Sequence, residues 1–123
     1  MALKPSYNDK LHLPGLSKTE ILILALEASQ KLEWNIEEVT PEGARFEVPF
    51  NMYSHGEEIT FTIEPGSDGE VAVRSQSSSV QFVDYGKNRK NIQKLRETME
   101  EIKTSLTPEE LTQKAKDFEE ECN

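Results

Sequence analysis

Between Trp34 and Val73 the chain alternates apolar and polar residues with period two, and this alternation restricts the possible folds more than any other feature. Trp34 and Ile36 alternate with Asn35 and Glu37. Phe46, Val48 and Phe50 alternate with Glu47 and Pro49, and Ile59, Phe61 and Ile63 with Thr60 and Thr62. Val71 and Val73 follow, with Arg74 facing away. Thr40-Pro41-Glu42-Gly43 and the run Pro65 to Gly69 are turn signals between these segments, and a loop around Ser54 to Gly56 separates the middle pair. Each segment has one face to bury and one to leave wet, which predicts an antiparallel sheet covered on a single side.

Two long helices are predicted to supply the cover. Ser17 with Glu20 makes a capping box, and Leu16 and Ile21 hold the staple positions around it, so a helix spans 17–32. Its stripe of Ile21, Leu24, Ala25, Ala28 and Leu32 is widened by Leu22, Ile23 and Leu26, which implies cover on more than one side. The second helix, over 85–105, repeats Ile92, Leu95, Met99, Ile102 and Leu106 at helical spacing. Thr107, Pro108 and Glu110, with Leu106 and Leu111 as staple, start a short third helix. Its stripe is thin (Leu111, Ala115, Phe118) and its end acidic, so it either docks weakly or leads into a further segment.

The expected fold class is therefore α+β: a two-layer sandwich in the order α-β-β-β-β-α-α, with a four-stranded antiparallel meander sheet and its helices on one face. Trp34, Ile36, Phe46, Val48, Phe50, Ile59, Phe61, Ile63, Val71 and Val73 make the inner surface. Residues 1–15, with Pro5 and Pro14, read as an N-terminal arm pinned in part by Leu11 and Leu13. Residues 16–106 are the domain, and 107–123 the C-terminal helix. Beyond Arg74 the parity fails, because Val80 and Phe82 are out of step with Val71 and Val73. A bulge, bend or strand break is expected within Ser75 to Ser79.

The second helix carries the only concentrated positive charge. Lys87, Arg89, Lys90, Lys94 and Arg96 precede Glu97, Glu100 and Glu101, an order opposed to the helix dipole. Pairs such as Arg96 with Glu100 return only about 0.2–0.5 kcal/mol each. A local preference broken without visible compensation points to function. The five cations are thus a candidate interaction patch, although a plain solvated face is the commoner meaning of a charge run. Asn88 falls on the angular position of the apolar stripe and is a candidate structural polar anchor, tying the helix entrance to the loop before it.

Composition and motifs exclude several classes. Lys and Arg number 14 against 23 Asp and Glu, a net charge of −9, which argues against general nucleic-acid binding. The single cysteine, Cys122, allows no internal disulfide and fits a reducing compartment. The longest strongly apolar run, Ile21 to Leu26, is too short to span a bilayer, and no signal-peptide core is visible; a soluble, cytoplasmic chain is expected. His12 and His55 stand at no metal-ligand spacing, and Gly66 to Gly69 lacks the flanks of a nucleophile elbow. No glycine-rich loop precedes Gly86-Lys87, and no carboxylate pair sits in an apolar setting. No catalysis, metal or cofactor is expected.

The block Asp84-Tyr85-Gly86-Lys87-Asn88 with Asn91, Ile92 and Leu95 resembles a soluble domain at the N-terminus of certain bacterial rhomboid-family membrane proteins. Leu16 to Glu20, Leu32-Glu33-Trp34 and Leu106 to Leu111 are similar too, so the likeness covers most of 11–118. More distantly, Val73-Arg74-Ser75 followed by Asp84, Gly86 and Asn88 is similar to a small bacterial family of unknown function. Rhomboid proteases use a serine in a Gly-x-Ser-Gly motif and a histidine on another membrane helix. Neither motif is present, so no catalytic residue carries over. The resemblance implies a non-catalytic cytosolic accessory or interaction domain, tethered to the inner membrane in a longer protein and monomeric when isolated. Its contacts would be a protein partner, its own membrane region or an anionic membrane surface. The alternative is a free-standing acidic protein-binding module, a secretion-chaperone-like dimer that presents its sheet to a client.

Overall fold

The computed structural model describes residues 6–49, 56–77 and 86–122. Along the chain these form β1 (Ser6–His12), α1 (Lys18–Lys31), β2 (Asn35–Thr40), β3 (Gly43–Val48), β4 (Glu57–Ile63), β5 (Glu70–Ser77), α2 (Lys87–Ser105) and α3 (Pro108–Cys122). The strands make one antiparallel sheet in the order β1-β5-β4-β3-β2. The α+β class and the meander of β2 to β5 agree with the alternation in the sequence. The count of four strands does not: among the described residues the sheet has five.

The additional strand is β1, inside the stretch expected to be an arm. It pairs with β5 from Ser6 opposite Gln76 to His12 opposite Glu70. Its positions opposite Ser75, Val73 and Val71 are Tyr7, Asp9 and Leu11, of which only Leu11 is a buried aliphatic residue. That polar edge left no period-two signal to read. The end of β1 is fixed by the β4–β5 turn, where the Leu13 N–H donates to the Gly69 carbonyl at 2.8 Å. Gly69 has φ 78°, and the Leu13 carbonyl stands where its Cβ would be, so only glycine fits.

The core lies between one face of the sheet and the helices. Phe46, Ile59, Phe61, Ile63, Val71 and Val73 are buried there, and Trp34, just before β2, packs its ring 6.4 Å from that of Phe46. Two expected members differ. Ile36 is 39% exposed, because β2 is the sheet edge and a bulge between Ile36 and Glu38 turns the strand. Val48 is half-buried, and Phe50 lies outside the described residues. Helix α1 touches β2 and β3, α2 touches β5 and β1, and α3 rests on α1. On the opposite face Glu58, Thr60, Thr62 and Arg74 are exposed.

Capping chemistry starts two of the helices. The Glu20 N–H donates to Ser17 Oγ at 3.1 Å while the Ser17 N–H donates to Glu20 Oε1 at 2.9 Å. Thr107 and Glu110 repeat this at 3.0 and 3.1 Å. Ile21 through Ala25 are buried without interruption, since α1 is packed by the sheet, α2 and α3 together. Leu111, Ala115 and half-buried Phe118 hold α3, and Lys114 Nζ lies 2.8 Å from Glu27 Oε1. Glu27 holds the Lys114 ammonium above its ordinary pKa, by hydrogen bond first and by charge second.

Strand β5 narrows the irregularity expected within Ser75 to Ser79. Its pairing with β4 continues without a bulge to Ser77 opposite Glu57, so Ser75 and Ser77 share the inner face with Val71 and Val73. The strand does not break at Ser75; Ser78 and Ser79 lie outside the described residues.

Candidate functional site

Helix α2 has two faces of different chemistry, and the candidate site is built on them. The chain turns into the helix at Gly86, in left-handed conformation with φ 76°. Asn88 and Asn91, three residues apart, then project from the same side of the first turns. Both are buried, as are Ser75, Ser77 and Glu57 on the strands opposite.

These groups form one hydrogen-bonded cluster. Ser75 Oγ donates to Asn88 Oδ1 at 2.7 Å, and Asn88 Nδ2 donates to Ser77 Oγ at 3.2 Å. Asn91 Nδ2 donates to Glu57 Oε1 at 3.0 Å and approaches Ser75 Oγ at 3.3 Å. A buried amide with unmet bonds costs about 1–3 kcal/mol, so the inward polarity of β5 is matched by the inward polarity of α2. Among the described residues the two hydroxyls meet the amides of Asn88 and Asn91, and the Glu57 carboxylate lies in the same cluster. These bonds hold the start of α2 on β4 and β5. Asn88 is thus tied to β5; the loop before the helix lies outside the described residues. Glu57, Ser75, Ser77 and Asn91 were not singled out as site residues from the sequence. Asn91 could have been found by its spacing from Asn88, and the serines by carrying the odd-numbered parity of β5 onward.

The remaining surface of the helix is basic. Lys87, Lys90 and Lys94 follow one line along it, Lys87 half-buried and the other two exposed. Arg89 is exposed on the side toward β1. Arg96 does not pair with Glu100 as expected; its Nη2 reaches Asp9 Oδ2 on β1 at 2.7 Å. This explains the inward-facing aspartate of the edge strand. The Asp9 carboxyl is held below its ordinary pKa of 3.8, first by the Lys10 backbone N–H and then by the Arg96 hydrogen bond. Burial opposes this, and the charges of Arg96 and Arg89 add to it. Among the described residues Lys87, Arg89, Lys90 and Lys94 form no ion pair, nor do Lys18, Arg74, Lys103 and Lys116, whereas Lys10, Lys31, Arg45, Arg96 and Lys114 each meet a carboxylate. The expected patch is thus divided, with Arg96 engaged in the fold, Arg89, Lys90 and Lys94 exposed, and Lys87 half-buried.

Elsewhere, His12 places Nε2 3.1 Å from the Asp68 carbonyl oxygen, and His55 lies outside the described residues. Among the described residues no three His, Cys, Asp or Glu side chains converge as metal ligands. No described helix is long and apolar enough to cross a membrane.

Comparison with curated proteins gave no match. A family model described as "Protein of unknown function (DUF1499)" matches residues 6–99. The match takes in the whole sheet, α1, the Ser75–Asn88–Asn91 cluster and the basic stretch of α2, and leaves out α3. The chain belongs to this DUF1499 family.

Proposed function

We propose that the chain is a non-catalytic interaction domain that presents four cations of α2, Lys87, Arg89, Lys90 and Lys94, to an acidic protein surface. The observation that carries this reading is that four cations without an ion pair among the described residues are gathered at the start of one helix, in a chain with net charge −9. Lysines at a helix N-terminus oppose the dipole, so a partner's carboxylates there would relieve two repulsions together. The buried amides beneath them keep the helix registered on the sheet, which fixes the spacing of the cations. A protein partner is favoured over a lipid leaflet because the rest of so acidic a domain is repelled by anionic lipid.

In the setting implied by the rhomboid resemblance, the domain is the cytosolic accessory part of a longer membrane protein, and the acidic surface belongs to that protein or to its partner. This setting rests on the sequence likeness alone. A covalent tether would raise the effective concentration of a weak contact. The test is to titrate the chain with polyglutamate and, separately, with phosphatidylglycerol vesicles at low and high salt. Saturable binding to polyglutamate that weakens with salt supports the reading. Binding to vesicles alone would assign the patch to lipid, and binding to neither would leave a solvated face.

The second reading is a free-standing acidic module of the secretion-chaperone kind, and the outer face of the sheet, on which no described helix packs, favours it. It requires a stable dimer, which gel filtration of the chain would reveal.

A further inference from the structure

The sheet ends at β2, and an edge strand exposes every second backbone N–H and C=O to solvent. Edges are ordinarily guarded by charge or by a bulge, and β2 has both over its first half: the bulge between Ile36 and Glu38, with Glu37 and Glu38 beside it. The second half, Glu38 to Thr40, pairs regularly with Arg45 to Gly43. There the guard is missing on the inner side. Val39 is 40% exposed, and with Ile36 it makes up the large exposed hydrophobics among the described residues.

Directly under this half-strand the helices leave a groove of about 520 Å³, lined by Leu22 of α1, Val39 and Pro41 of the β2–β3 corner, and Phe118 of α3. Lys18 and Glu119 stand at its rim. An added strand sends alternate side chains to the two faces of a sheet. A segment pairing with Glu38 to Thr40 would therefore drop its inward side chains into the groove and turn the others toward the outer rim. Charge decides what that segment is. Glu37, Glu38 and Glu119 stand along the edge and groove against Arg45 and Lys18, and Arg45 is already shared between Glu37 and Glu38. A second copy would bring its own carboxylates against these across the same edge, with net charge −9 on each chain.

We propose that the β2 edge and the groove beneath it are a docking site for an extended basic peptide segment, in which aliphatic residues alternate with lysine or arginine, added as a sixth strand. Main-chain hydrogen bonds would supply the attachment, and the Leu22–Val39–Phe118 groove the selection for apolar side chains at alternate positions. This site is remote in chemistry from the cations of α2 and stands or falls independently of them.

The probe is an end-capped octapeptide of alternating lysine and valine, titrated into the full chain and followed by amide and methyl NMR. Saturable shifts are expected at Glu38, Val39 and Thr40 and at the Leu22 methyls. Methylating alternate peptide nitrogens blocks a ladder without altering the protein, and should weaken binding at least about tenfold. A lysine–serine peptide and a glutamate–valine peptide should each bind at least about tenfold more weakly. Val39→Asp, at a position already half in water, should abolish the shifts while the melting curve is kept. No saturable shift up to about 1 mM peptide, or equal binding of the N-methylated peptide, would overturn strand addition. Equal binding of the glutamate–valine peptide would overturn the basic partner. A dimer of the chain that Val39→Asp dissolves would assign the edge to a second copy and overturn the proposal.

Discussion

Asn88→Ala should be among the most damaging single substitutions on α2, although it removes no apolar surface. Asn88 is 0% exposed. Its amide accepts from Ser75 at 2.7 Å and donates to Ser77 at 3.2 Å. Each lost bond costs about 0.5–1.5 kcal/mol net, and the hydroxyls left behind add part of a 1–3 kcal/mol desolvation penalty, for a total of about 2–4 kcal/mol. Against a typical domain stability of about 5–15 kcal/mol that is a large fraction. Asn88→Asp keeps the shape but loses the donor to Ser77 and places a charge at a buried site, so it should cost at least as much. Urea unfolding followed by the fluorescence of Trp34, the single tryptophan, measures both. A double-mutant cycle with Ser75→Ala should show a coupling of about 0.5–3 kcal/mol. A cost below about 0.5 kcal/mol for Asn88→Ala, or strict additivity with Ser75→Ala, would refute the anchoring role of the cluster.

Other substitutions probe the rest of the frame. Ile92→Ala and Leu95→Ala, at 1% and 0% exposure, should each cost about 2–5 kcal/mol in the same urea assay. Asp9→Asn should cost about 0.2–1 kcal/mol at neutral pH, since the pair with Arg96 is partly exposed. Because the folded pKa of Asp9 is depressed, its contribution is fully present above 3.8 and is lost as pH falls through the lower folded value. The difference between Asp9→Asn and wild type should therefore vanish in strong acid. Gly69→Ala should cost more than about 1 kcal/mol, measured by thermal melting, because its φ of 78° and the nearby Leu13 carbonyl both exclude a Cβ.

The sheet and its helices were legible where burial is apolar and periodic. Phe46, Ile59, Phe61, Ile63, Val71 and Val73 announce their face by alternation, and Ser17 with Glu20 and Thr107 with Glu110 announce helix starts by local hydrogen bonds that need no tertiary context. What escaped, Asn88 apart, is burial of polar groups. Strand β1 turns Asp9 inward only because Arg96, 87 residues later, is there to meet it. Ser75 and Ser77 interrupt the apolar pattern of β5, so counting hydrophobic side chains did not show that the strand keeps its inner face as far as Ser77. Their reason for being inside is Asn88 and Asn91, a pairing across elements that single-strand periodicity cannot contain. Edge effects were equally invisible: Ile36 alternates like a core residue, and only the strand order places it at the rim.

The most direct test of the interaction reading is the triple variant Lys87→Glu, Lys90→Glu, Lys94→Glu, compared with wild type for both melting temperature and polyglutamate affinity. These side chains form no ion pair among the described residues, and acids near a helix N-terminus gain about 0.3–1 kcal/mol from the dipole, so stability should hold or rise slightly. Affinity should fall at least about tenfold, and its salt dependence should largely disappear. An unchanged affinity would contradict the proposed surface, and a collapse in melting temperature would show that the lysines serve the fold instead.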